Sequence, residues 1–238
     1  MIKNKWIYVI AIFVHIFCVI SYAGSSKIDY GTPFWGATYF GDMKYYANSI
    51  LLFSIYLLYS FNDTKKYISG YGILEMTRSL KRDIVVRNIL IKQIKNLILL
   101  TGILYLCFIV ECVAIERKIY GIKFEDIIMD ILLHLFVMYS LLLWQSILEI
   151  FLDERIAIGV VIGLSIIQII LGNIVYTYEM SEGFNLILYV NLYASLRTDF
   201  MRMPMSVMLG AVIIILLLQV LILRRLVIKK DIMQLSSL

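Results

Sequence analysis

The chain has 238 residues, 61% of them hydrophobic and only 16% charged, with a mean hydropathy of +0.87. Soluble domains sit at roughly 45–50% apolar and about 25% charged, so this composition excludes an ordinary water-soluble fold and makes lipid the solvent for much of the surface. The net charge of +5 is gathered into short segments between apolar runs; that placement carries topology information and excludes a basic nucleic-acid-binding face.

Six apolar runs read as membrane-spanning helices: Trp6–Tyr22, Tyr45–Phe61, Leu97–Ile115, Ile127–Ile150, Ile156–Tyr176 and Val207–Leu223. Each approaches the roughly 20 residues needed to cross about 30 Å of hydrocarbon at about 1.5 Å per residue. Prolines are confined to Pro33 and Pro204, in keeping with long helices whose backbone groups are satisfied internally. The expected fold is all-α, a single polytopic transmembrane domain over residues 1–238.

The first run, preceded by Lys3 and Lys5 and followed by Ser21-Tyr22-Ala23-Gly24, has features of a secretory signal. Its length and the five later runs favour an uncleaved helix. With both termini in the cytoplasm, fifteen of the twenty-two lysines and arginines fall on the inner side, the orientation that the positive-inside rule prefers. The expected location is the cell membrane.

Cys18, Cys107 and Cys112 all lie in apolar runs without CxxC spacing, and His15 and His134 are the only histidines. They read as buried small hydrophobes and isolated imidazoles rather than a disulfide framework or zinc site. No Gly-Lys pair exists to form a phosphate-cradling loop, and no HExxH motif is present, so no enzyme activity and no cofactor are expected in this chain. Ser69 in ISGYG lacks the intramembrane setting and partner histidine of a serine nucleophile.

On the fourth run, Asp130, His134, Met138, Gln145 and Glu149 share an arc of about 100° at helical spacing. Such a stripe lines a pathway or a subunit interface. The simpler alternative is that Asp130 and Glu149 lie near helix ends and snorkel to water. Glu111 is expected to be hydrated near the outer end of the third run. Gly159 and Gly163 form GxxxG in the fifth, which permits close helix approach, and Gln168 and Asn173 are placed to hydrogen-bond across helices. Between the fifth and sixth runs, Phe184–Leu196 (FNLILYVNLYASL) is apolar but too short to span, which predicts a re-entrant or interfacial helix on the outer face.

Between the second and third runs lies ISGYGILEMTRSLKRDIVVRNILIKQIKN, residues 68–96. From Asp83, Val85, Val86, Ile89, Leu90 and Ile94 recur at helical spacing among Arg87, Lys92 and Lys95, predicting a basic amphipathic helix along the inner leaflet. Before it, Ile73, Leu74, Met76 and Leu80 mix with charged residues. This piece either lies on headgroups or offers a short helix to a soluble partner's groove; the break at Gly70 and Gly72 favours the partner.

This layout resembles the membrane subunit of ABC transporters of the ABC-2 (type V exporter) class, and LEMTRSLKR, Leu74–Arg82, is similar to a segment of small permeases linked to bacteriocin or lantibiotic export and self-protection. The resemblance implies a permease moving a peptide or amphipathic substrate and driven by a separate ATP-binding cassette subunit that holds ATP and magnesium. It implies dimerisation with itself or a sister permease, and a coupling helix at Gly72, Ile73, Leu74, Glu75, Met76, Thr77 and Arg78 seated in the ATPase. The amphipathic helix that precedes the first span in larger members has no counterpart in the five residues before Trp6. The rival reading is a membrane-embedded immunity or sensor protein that binds a peptide or partner without transport.

Overall fold

The computed structural model describes residues 6–23, 28–30, 32–34, 43–61, 63–68, 83–116, 118–120, 124–178, 183–194, 198 and 203–235. The chain is a helical bundle. Helix α1 covers Trp6–Ala23, α2 Met43–Tyr59, α3 Asp63–Ile68, α4 Asp83–Ala114, α5 Phe124–Glu149, α6 Glu154–Thr177, α7 Gly183–Ile187 and α8 Met205–Leu235. Two residue pairs, β1 (Ile28–Asp29) and β2 (Ile119–Tyr120), form a short parallel ladder that joins the segments following α1 and α4.

Four helices are long and apolar enough to cross a membrane, over residues 84–114, 127–149, 154–177 and 205–228. Their outer faces remain apolar: Leu106, Val113, Leu164, Ile214 and Leu217 are each more than half exposed, a surface suited to acyl chains and not to water. Helix α1, with 18 residues, and α2, with 17, rise only about 27 and 25 Å. Against the expectation of six crossings, four described helices are long and apolar enough to cross, and α1 is a shorter apolar helix.

The core explains which faces turn inward. Ile12, Ile16, Phe53, Leu57, Leu104, Phe108, Leu133 and Val137 are almost fully buried in one cluster built by α1, α2, α4 and α5. Helix α8 makes its principal contact along α5, α1 lies against α4 and α2, and α6 packs on α5 and α2. Helix α6 begins at a built cap, where the Asp153 carboxylate accepts from the Arg155 backbone N–H at 3.0 Å, satisfying one orphan donor of the first turn.

One expectation is revised. The amphipathic stretch from Asp83 does not form a separate helix along the leaflet, because α4 runs unbroken for 32 residues. Its apolar stripe faces protein: Val85, Val86 and Ile89 pack with Leu143, Ile147 and Ile150 of α5 and with Leu223 and Val227 of α8. Burial against two long helices outweighs half-burial in headgroups, since about 25 cal/mol per Å2 applies to the full apolar area of each side chain.

Candidate functional site: a re-entrant seat and a charged clamp

Two non-spanning segments at opposite ends of the bundle are each fastened to the long helices by buried polar groups. At the end where α5 begins, residues 183–194 turn into the bundle as expected for a re-entrant piece. Helix α7 gives way to a tight 3-10 turn, Tyr189–Tyr193, all five residues of which are buried. The Tyr189 hydroxyl meets Ser140 at 2.8 Å. Ser140 lies sixteen residues into α5, about 24 Å along a helix of about 39 Å, so the Tyr189 side chain reaches past the midpoint of α5.

Irregular backbone survives at such depth only where protein supplies its hydrogen bonds. Here Gln168 Oε1 accepts from the Val190 N–H at 3.3 Å, and Asn191 Nδ2 donates to the carbonyls of Gln168 at 3.1 Å and Leu188 at 2.8 Å. His134 Nδ1 donates to the Tyr193 carbonyl at 3.4 Å. Gly172 makes room for this seat: a Cβ there would lie 2.4 Å from Asn191 Oδ1. The Tyr193 hydroxyl bonds to Ser49 at 2.5 Å while its ring stands edge-on to Phe53.

His134 also packs its ring against Phe34 and Tyr56. His15, equally buried, has its Nδ1 2.9 Å from Asn48 Oδ1. Met138, Gln145 and Glu149 continue the stripe down α5 and are 0%, 2% and 4% exposed, with Gln145 donating to Glu149 at 2.8 Å. From His134 to Glu149 the stripe thus faces protein, whereas Asp130 at its start is half-buried, and Glu149 is held inside the bundle instead of reaching into water. Glu111, expected to be hydrated, is 3% exposed and both carboxylate oxygens lack a hydrogen-bond partner. The helical face it shares with Leu104, Phe108 and Leu100 carries it inward. Gly159 and Gly163 have nothing within 4 Å of their Cβ positions, so this GxxxG faces outward from the chain.

At the other end, α3 is fastened to three long helices. Asp63 binds Lys92 at 2.5 Å and Asn96 at 3.2 Å, tying α3 to α4. Thr64 donates to Ser146 of α5 at 2.8 Å, and Gln93 of α4 donates to the same hydroxyl and to the Leu142 carbonyl. Lys65 reaches Glu154 at the start of α6, 2.5 Å away, and this hydrogen bond holds the Lys65 ammonium above its ordinary pKa. The clamp therefore joins α4, α5 and α6 through one short helix.

Sequence reasoning did not identify Asp63, Thr64, Gln93 or Ser146 as a unit. The available signal was Gln93 and Asn96, polar residues one turn apart on α4. Residues Gly72–Arg78, the expected ATPase contact, lie outside the described residues; the clamp holds both flanks, 63–68 and 83–96. Among the described residues, no group of three or more His, Cys, Asp or Glu is placed to hold a metal ion. No protein-family model matches the chain, and no curated protein or solved structure matches it.

Proposed function

We propose that the protein is the membrane permease subunit of an ATP-driven transporter, crossing the cell membrane six times with both termini in the cytoplasm. It moves a peptide or amphipathic substrate and pairs with a second copy or a sister permease. A separate ATP-binding cassette subunit, which holds ATP and magnesium, supplies the energy. This chain contributes the conduit and the lever.

The observation that carries the reading is the clamp on both flanks of Gly72–Arg78. A segment that only rested on headgroups would need no such anchorage. Here a push on residues 72–78 passes into Asp63–Lys92, Thr64–Ser146 and Lys65–Glu154, and so reaches α4, α5 and α6 together. Rigid elements joined by hydrogen bonds and ion pairs are the physical means by which such a displacement travels. The stripe His134, Met138, Gln145 and Glu149 then lies on the helix that receives the push, as a pathway lining or a helix interface that shifts with it.

Affinity purification in mild detergent is the test. An ATP-binding subunit should accompany the chain, and Leu74→Asp with Met76→Asp should abolish that recovery while membrane insertion is retained. Recovery of the chain with no ATPase would sink the reading in favour of an immunity or sensor protein.

A further inference from the structure

Two imidazoles, His15 of α1 and His134 of α5, are buried in the bundle, and each uses only one of its nitrogens. An amide or carbonyl oxygen only accepts, so the nitrogen facing it carries the proton. His134 Nδ1 faces the Tyr193 carbonyl at 3.4 Å, and His15 Nδ1 faces Asn48 Oδ1 at 2.9 Å. Because a neutral imidazole holds a single N–H, both Nε2 atoms present bare lone pairs, and neither has a hydrogen-bond partner.

The two rings belong to one assembly. Asn48 and Ser49 are consecutive on α2, Ser49 bonds to the Tyr193 hydroxyl, and the Tyr193 carbonyl holds His134. The imidazoles lie near enough to interact electrostatically. Ile12 and Ile16, neighbours of His15 along α1, share a core cluster with Leu133 and Val137, which flank His134. Phe34 lies in a 3-10 turn, Thr32–Phe34, that packs on both α1 and α5. Its ring is centred 4.8 Å from that of His134, and the Tyr56 ring stands edge-on at 5.9 Å. One helical turn beyond His134 on the same face of α5 lies Met138, also buried.

Bare lone pairs in an apolar interior forfeit the hydrogen bonds they had in water, and the donor set indicates what restores the loss. A metal-bound histidine characteristically gives its other N–H to a carbonyl or carboxylate, which fixes tautomer and ring orientation. Both histidines here are fixed in that way. A thioether is a soft donor and an imidazole suits copper, so the pair of them selects copper(I). Among the described residues no carboxylate or thiolate completes a three-ligand group with the imidazoles. A dication would keep its double charge in low dielectric, where the cost of desolvation rises with the square of the charge. A monovalent ion keeps one, beside aromatic rings that attract cations.

We propose that His15 and His134, with the thioether of Met138, bind a soft monovalent metal cation of the copper(I) class between α1 and α5. The site is deep: His15 is nine residues into the 18 of α1, about 14 Å along a helix of about 27 Å. The ion would fasten α1 to α5 whether or not an ATPase drives the bundle, so the proposal stands apart from the permease reading.

The test uses the full chain in mild detergent without oxygen, titrated with copper(I) against a chromophoric chelator and with silver(I) as a redox-inert substitute. His15→Asn and His134→Asn separate ligation from packing, because an asparagine amide nitrogen stands where Nδ1 stood and keeps its bond while Nε2 is gone. The wild type should bind one equivalent, and silver(I) should raise its thermal unfolding midpoint. Each asparagine protein should bind more than about a hundredfold more weakly, since outer-shell losses alone cost about 10–100-fold, with a metal-free midpoint close to that of the wild type. Met138→Leu should weaken binding less, and unchanged affinity there removes the thioether from the site. Cys18→Ala/Cys107→Ala/Cys112→Ala should leave the equivalent in place. Should an asparagine protein fail to fold, X-ray absorption of copper(I) on the wild type should show nitrogen and sulfur ligands, and sulfur alone overturns the site. Binding that survives both asparagine substitutions, or that disappears with the cysteines, overturns it as well. So does a wild type that binds no copper(I), or that binds zinc(II) more tightly than silver(I).

Discussion

The re-entrant segment 183–194 and the α3 clamp are both short non-spanning pieces fixed against long helices, yet they are held by different chemistry. The first is fastened by neutral groups: amides, hydroxyls, an imidazole nitrogen and aromatic rings, all deep in the bundle. The second adds two lysine–carboxylate pairs to the buried hydrogen bonds of Thr64, Ser146 and Gln93, with Lys65 and Lys92 each 39% exposed at the side chain. Depth explains the difference. An uncompensated charge near the bilayer centre costs about 2.5–3.5 kcal/mol on insertion scales, so a buried seat must be built from dipoles. At the membrane edge, charged pairs are accessible to salt and worth little individually. The buried seat should therefore be stiff and insensitive to conditions, and the clamp responsive to them.

The strongest way to break that contrast is at Gly172. A Cβ at Gly172 would overlap the Asn191 side-chain amide and displace it from its two carbonyl partners, so Gly172→Ala should cost about 1–3 kcal/mol and lower the thermal unfolding midpoint in detergent. An unchanged midpoint would mean that α6 and the 3-10 turn are not in contact. Asn191→Ala should cost about 1–2 kcal/mol through its two lost carbonyl partners. It should also relieve part of the Gly172→Ala penalty, giving a non-additive double mutant; strict additivity would count against the shared seat.

Smaller effects belong to the clamp. Asp63→Asn should cost about 1 kcal/mol or less at low ionic strength, and the difference from wild type should shrink toward zero in about 1 M salt. The same salt series applied to Asn191→Ala should leave its deficit intact, so the two regions separate in one experiment. Lys65→Gln should have the smallest effect. Its ammonium is held above the ordinary value of 10.5 by the hydrogen bond to Glu154. The lysine contribution is therefore fully present below that ordinary value and disappears as pH rises through the raised folded value. Unfolding midpoints of wild type and variant should thus keep a constant gap across neutral pH and converge only in strong alkali; convergence already at neutral pH would remove the pairing from the account.

The apolar runs made much of the bundle legible. Residues 156–176 were expected to be helical and α6 occupies Glu154–Thr177; residues 127–150 correspond to α5 at Phe124–Glu149. That Phe184–Leu196 is apolar yet too short to span was legible as well, and its described part turns inward, with residues 189–194 buried. What escaped was partnership. The Val85–Val86–Ile89 stripe announces a buried face at helical spacing, but period alone cannot distinguish lipid from Leu223 and Val227, which lie more than 130 residues away in the chain. Gly172 and Asn191, or Gln93 and Ser146, likewise come together only through packing. Glu111 was misplaced for a related reason: proximity to a helix end suggested water, whereas rotation about the helix axis turned the carboxyl inward.

The parallel pairing of Ile28 with Ile119 and Asp29 with Tyr120 has a mechanical consequence. Together with the Tyr105 hydroxyl bound to the Tyr30 carbonyl at 2.7 Å, it straps the far ends of α1 and α4 to one another. Sliding residues 28–30 along the end of α4 would have to break these contacts first. Any rearrangement of the bundle that keeps them intact carries residues 28–30 along with α4.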